Sequence, residues 1–265
     1  MHLVVNNMLQ QSNILHRESR RYTLPSSIVY SILLDTSSLS PTPAPSDYPL
    51  IAWWRADSLT LPNLTVISGS NKPWASIDTH GNVITGSTST GPKYQVSSSV
   101  FSQSVVVFAG QNLRCYPIDL SSAIFTMAIV CYSSADGMLI GSSDTNLQIR
   151  KFQSAANTIS MYNRFVTIIS STLSTAAGKP VVCWFQRDNT GTARFYENQT
   201  AKGTSAAWAG FGGSNLNEIG DYQSSLPFTG GIIEIAIWNY AFSAAEIKNM
   251  YLNYFKIHYP GAFSG

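Results

Sequence analysis

Charge is what this 265-residue sequence has least of: charged residues make up 11% of it, against about 25% in an ordinary soluble domain. Lysine plus arginine number 16 and aspartate plus glutamate 14, for a net charge of +2. Such a balance offers no basic footprint for nucleic acid and no acidic tail. Cysteine is scarce too. Cys115, Cys131 and Cys183 leave at least one thiol unpaired and form no C-x-x-C. Two of them sit in strand-like runs, which predicts buried reduced thiols rather than a disulfide scaffold or a zinc site. No stretch approaches the roughly 20 apolar residues of a membrane helix, so no span is expected. The opening MHLVVNNMLQQSN has neither a charged n-region nor an apolar h-region, which argues against Sec export of the sequence as written. Walker and Rossmann glycine patterns are missing, and with them any basis for nucleotide chemistry.

What the sequence does have is 44% hydrophobic and 12% aromatic residues, ample apolar surface to offset ordering entropy, so disorder of the whole chain is excluded. Ser and Thr replace the missing charges and suit strands and turns. Four prolines in SSLSPTPAPSDYP (37–49) mark a semi-rigid linker. Before it, residues 1–36 form an arm with a charged cluster, HRESRR, and an apolar β-branched run, SSIVYSILL (26–34). A segment this short cannot build a core, so the run is expected to pair with another subunit. Arg17, Arg20, Arg21, Ile28, Val29, Ile32 and Leu33 are its candidate anchoring residues.

Beyond the linker, short strand-like runs alternate with Gly, Ser, Asn and Asp turns. They include SVVVFAG (104–110), IFTMAIVCY (124–132), GMLIGS (137–142), PVVCWFQ (180–186), ARFYEN (193–198) and FTGGIIEIAIWN (228–239). This spacing predicts an all-β sandwich or jelly roll. In the last run Ile233, Ile235 and Ile237 are expected on one face, with Glu234, Ala236 and Trp238 on the other. Ser243 and Glu246 form a capping box, and Ile247, Met250, Tyr251 and Tyr254 follow as the stripe of one closing helix.

These residues resemble the concanavalin A-like lectin/glucanase superfamily in its laminin-G-like and pentraxin-like branch. The resemblance spans residues 48–259 through IAWWRADSL (51–59), Trp74, GPKY (91–94), the hairpin VVCWFQRDNTGTARFYENQT (181–200) and the ending GGIIEIAIWNYAFSAAEIKNMYLNYFKIHY (230–259). Gln199 stands where the family usually has glycine, and the arm has no counterpart. The resemblance implies an antiparallel β-sandwich jelly roll over residues 50–260, one C-terminal helix and a short tail at 261–265.

Glucanases of this superfamily carry E-x-D-x-x-E on one strand. Here Glu234 is followed by Ala236 and Asn239 at the other acid positions, so the acid pair is missing and Glu234 is expected to be structural. His80, in DTHGN, is the one loop histidine within the domain, and no G-x-S-x-G elbow gives it a nucleophile, so it reads as a turn residue. For sugars, an aromatic face with nearby amides or carboxylates is needed. Trp208, Phe211, Asn215, Asp221 and Tyr222 offer that grouping, or else pack as core, while Trp53, Trp54 and Trp184 read as framework. No cofactor is required, though calcium is compatible with loop oxygens at Asp136, Asp144, Asn217 and Glu218, residues that equally make turns.

The expected function is that of a non-enzymatic phage-like virion structural or receptor-binding protein, a head fibre, decoration or tail component displayed on the virion surface. Its partners would be other virion subunits, copies of itself and a cell-surface glycan. A free lectin or adhesion module, extracellular or at the cell surface, is the alternative, and a glycan hydrolase with an unrecognised acid pair the second.

Overall fold

Apolar runs without alternation belong to strands covered on both faces. The computed structural model shows two such strands at its centre, β7 (Phe125–Ser133) and β12 (Val181–Arg187), the second buried at every position. It describes residues 42–67, 73–86, 91–98, 100, 102–120, 124–142, 147–152, 157–163, 166–207, 215–221 and 226–263. One compact unit is Pro43–Gly265. The candidate anchoring residues from Arg17 to Leu33 lie outside the described residues.

The remaining strands are β1 (Leu50–Arg55), β2 (Trp74–Ala75), β3 (Val83–Gly86), β4 (Lys93–Gln95), β5 (Val105–Ala109), β6 (Leu113–Asp119), β8 (Gly137–Gly141), β9 (Gln148–Phe152), β10 (Thr158–Asn163), β11 (Val166–Thr172), β13 (Thr192–Glu197), β14 (Thr200–Ala207), β15 (Asn215–Ile219) and β16 (Thr229–Trp238). Two antiparallel sheets result. The first runs β14-β13-β12-β7-β16-β5-β4, and the second β11-β10-β9-β8-β15-β6-β3-β2. The ten-residue β16 organises the first sheet: its first half pairs with β5 and its second half with β1. The fold is thus the antiparallel β-sandwich expected from the sequence.

Three layers enclose two cores. Between the sheets lie Trp54, Trp74, Phe108, Phe125, Phe185 and Phe195, among others. On the outer face of the first sheet, Trp184 and Trp238 stack with ring centroids 6.2 Å apart, and Phe255 meets Trp184 edge-on at 5.3 Å. That outer core is sealed by helix α1 (Ala244–Met250), a π-helical stretch (Tyr251–Phe255) and α2 (Lys256–His258). The capping box forms as the sequence predicts: Ser243 Oγ accepts from Glu246 N at 3.2 Å, and Glu246 Oε2 accepts from Ser243 N at 2.8 Å. Ile247, Met250, Tyr251 and Tyr254 are all buried beneath it.

Three expectations are corrected. The linker does not extend to residue 49, because Pro45–Asp47 forms a 3-10 turn whose Pro45 carbonyl accepts the Trp238 Nε1 proton at 2.9 Å. Tyr48 then packs on Phe242 at 4.5 Å. The tail is also part of the domain, since Ala262 and Phe263 are buried and Phe263 meets the Tyr251 ring at 5.7 Å. Finally, Ile233 does not share a face with Ile235 and Ile237. The β16–β7 register shifts between Ile232 and Glu234, so a bulge places Ile233 in the outer core beside Ala236 and Trp238.

Candidate functional site

The same bulge sets Glu234 on the helix side of the sheet, where it is fully buried. Its carboxylate accepts from Trp53 Nε1 at 2.6 Å, from Tyr254 OH at 3.0 Å and from Tyr259 OH in a still shorter contact. Burial pushes this carboxyl up, and the hydrogen bonds from Tyr259, Trp53 and Tyr254 with the charge of Arg55 only partly offset it. Burial, and then the Glu234 charge, push both phenols up, so they remain donors. Glu234 ties β1, β16 and the C-terminal segment together, in keeping with the structural role expected for it, but within a core rather than on an open face.

Beside this node, Arg55 and His258 converge on Asp57. Arg55 Nε donates to Asp57 Oδ1 at 2.9 Å, and His258 Nε2 lies 3.3 Å from Oδ2. Burial raises the Asp57 carboxyl, but the hydrogen bonds from His258 and Arg55, with their charges, outweigh it and hold it at about 2. The guanidinium also lies 5.8 Å from the Trp53 ring centroid.

Each of the five described tryptophans has its indole N–H donated: Trp53 to Glu234, Trp54 to Asn82 O, Trp74 to Arg55 O, Trp184 to Asn198 O and Trp238 to Pro45 O. Trp54 and Trp184 are framework, as expected. Trp53 is not only framework. Its ring is half-buried and lines a groove of about 430 Å³ together with Tyr48, Ile77, Asp78 and His80.

The groove is built from two sources. Tyr48, Pro49 and Leu50 come from the segment entering β1, and the other wall is the turn after β2. Asp78, whose side chain is 3% exposed, organises that turn: Oδ1 accepts from His80 N at 2.7 Å and lies 3.3 Å from His80 Nδ1, while Oδ2 contacts Ser76 Oγ. With Nδ1 facing Asp78, the Nε2 side of an imidazole that is 53% exposed is left to meet a ligand. An aromatic face fixed from behind, a second ring and an oriented imidazole have the chemistry needed to stack on the C–H face and hydrogen-bond the hydroxyls of a sugar.

The sequence-predicted sugar residues fare differently. Trp208, Phe211 and Tyr222 lie outside the described residues, as does Asp144 of the calcium set. Asn215 is exposed at the start of β15, opposite Asp119. Asp221 is buried, and its Oδ1 accepts from Leu226 N at 2.9 Å. Asp136 lies in the β7–β8 turn and Asn217 on β15. Glu218 is not a loop oxygen at all: it sits within β15, fully buried, with Oε1 3.1 Å from Arg114 Nη2. It belongs to a row across the outer face of the second sheet, running Thr85, Arg114, Glu218, Gly141, Gln148 and Tyr162 in register. Among the described residues no cluster of three His, Cys, Asp or Glu could hold a metal ion.

The groove residues Tyr48, Trp53 and His80 were missed as a site. A signal was present: DTHGN is an Asx-turn pattern that sets an imidazole on its own aspartate. What joined it to Trp53 is the backbone bond from Ile77 N to Trp53 O at 2.8 Å, a contact between distant segments.

No protein-family model and no curated protein matches the chain. Solved structures do. Domain 4 of an extracellular arabinanase from Geobacillus stearothermophilus, in complex with arabinotriose, superposes with a TM-score of 0.55 at 16% identity, covering 76% of this chain and 98% of that one. The fold that the two share is a β-sandwich. The botulinum neurotoxin serotype D binding domain gives a TM-score of 0.56 at 9% identity, covering 77% of this chain and 51% of that one. The Trypanosoma rangeli sialidase in complex with the inhibitor DANA gives 0.52 at 10%, covering 77% and 32%. The chain therefore spans about half of the neurotoxin binding domain and a third of the sialidase chain.

Proposed function

We propose that this chain is a non-catalytic, lectin-like glycan-binding module, the receptor-binding head of a phage-like virion protein whose arm, residues 1–36, holds it to neighbouring subunits at the virion surface. The observation that carries the binding reading is the Tyr48–Trp53–His80 groove, with the indole clamped by Glu234 and the imidazole oriented by Asp78. Arabinotriose in the complex of the arabinanase domain supports sugar as the ligand class. Absence of catalysis is supported by Glu234, whose carboxylate is fully buried and occupied by three donors. A retaining mechanism needs two carboxyl groups about 5–5.5 Å apart that both reach substrate. The composition of the arm's run, apolar and β-branched in sequence, supports subunit contact, since such runs favour strand pairing.

The test is a glycan array with the full chain, its Tyr48→Ala and His80→Ala variants, and a polysaccharide digestion panel. Array binding that both substitutions abolish, with no sugar released, is the expected result. Sugar release lost in Glu234→Gln would overturn the non-catalytic reading. Binding insensitive to Tyr48 and His80 but lost in Trp208→Ala would move the site elsewhere.

A further inference from the structure

Ile77 lines the Trp53 groove and also a second depression of about 260 Å³ that runs between Leu59, Leu61, Pro73 and Ala75. Its side chain is 39% exposed, a large apolar group standing in water on the wall common to both. Ligand sites generally hold roughly 300–1,000 Å³. The first depression meets that size alone; the second does not, and can hold ligand only as a continuation of the first.

The chemistry of the two is complementary. The Trp53 side offers aromatic faces and the His80 imidazole, and the far side offers apolar carbons with the Thr60 hydroxyl, those of Ser58 and Ser76 being bonded to Arg55 O and to Trp53 and Asp78. Among the described residues lining them there is no lysine or arginine, and the one charged side chain held in place is the Asp78 carboxylate. Among these described residues a ligand carboxylate or sulfate finds no lysine or arginine partner, and it stands near the Asp78 carboxylate.

Resting on the glycan-binding reading above, we infer that the groove takes a neutral, linear oligosaccharide of at least two sugar units. One ring stacks on Trp53 with a hydroxyl donating to His80 Nε2, and the next unit crosses Ile77 into the second depression. The C–H face of that second sugar covers the exposed Ile77 carbons.

Calorimetry with the full chain tests this, using β-1,4-linked glucose, xylose and N-acetylglucosamine series and an α-1,5-linked arabinose series from monomer to hexamer, beside 3′-sialyllactose and oligogalacturonates. At least one neutral series should tighten about tenfold between monomer and trimer and then level off. Ile77→Asp, on the wall common to both depressions, should weaken the trimer by more than it weakens the monomer and so erase that gain with length. His80→Ala should weaken monomer and trimer alike, and the acidic probes should bind at least about tenfold more weakly than the neutral trimer. Affinity independent of length, an Ile77→Asp effect equal for monomer and trimer, or acidic oligomers binding tightest would overturn the inference while leaving glycan binding intact. No binding by any series, together with a blank array, would remove the underlying reading as well.

Discussion

Glu234, a lone acid in the sequence and so expected to be structural, acts in the structure as a buried strut. Glucanases of the superfamily carry three acids on one strand, whereas Glu234 stands without the other two, and its surroundings supply three donors, Trp53, Tyr254 and Tyr259. Truncation to alanine strands three buried donors, so Glu234→Ala should lose about 3–5 kcal/mol in urea denaturation. Glu234→Gln keeps acceptor oxygen and volume and should lose less. The two differ in pH response. Because the folded carboxyl is raised, the native state binds its proton more tightly than the unfolded chain does, and its stabilisation is complete below about pH 4.3 and declines as pH rises through the folded value. The stability difference between wild type and Glu234→Gln should therefore shrink from pH 4 toward neutrality; a difference that grows would contradict the direction. Asp57 titrates with the opposite sign. Its carboxyl is held at about 2, so its contribution is present above about pH 3.9 and is lost as pH falls through that lower value, a loss that Asp57→Asn should not show.

At the scale of elements, the segment entering β1 acts as a strap. Residues 43–49 supply the carbonyl that satisfies the buried Trp238 indole and the Tyr48 ring that covers Phe242, and they also form one wall of the groove. A chain beginning at residue 43 should melt as the full domain does, whereas one beginning at residue 50 should lose about 2–4 kcal/mol, from one orphaned buried donor and one exposed ring. It should also lose sugar binding, which denaturation and calorimetry on the same two truncations would check. The strap was hidden in the sequence by its prolines, which describe an extended backbone equally well when it packs and when it does not. Strands β7 and β12 and the Ser243 cap were legible because their signals are local: continuous apolar runs and a four-residue box. Strands β2 and β4, of two and three residues, carry no periodicity to read. The bulge at Ile233 escaped for a related reason: alternation predicts a face only while the register holds, and the register is set by β7, over 90 residues away in sequence. Gly220 illustrates the same dependence on distant partners. Its φ of +90° and the Phe108 ring lying where a Cβ would go make Gly220→Ala destabilising by steric overlap.

At the scale of the molecule, a shallow groove with one clamped indole and one oriented imidazole limits how tightly a single head can hold sugar, because few polar contacts must offset the ordering of a flexible ligand. On the proposed reading, useful affinity then comes from number. An arm that joins copies converts later contacts into intramolecular ones, multiplying affinity without changing any contact in the groove. The comparison that separates these contributions is the full chain against the head beginning at residue 43, each presented with soluble trisaccharide and with a surface bearing many copies of it. Both should bind the soluble sugar equally, since the groove is complete within Pro43–Gly265. On the surface the full chain should gain about 10²–10⁴-fold over the head, and light scattering should find it in larger assemblies. Equal retention on the surface, or assembly by the truncated head, would mean that the arm does not join subunits and that the binding strength resides wholly in the groove.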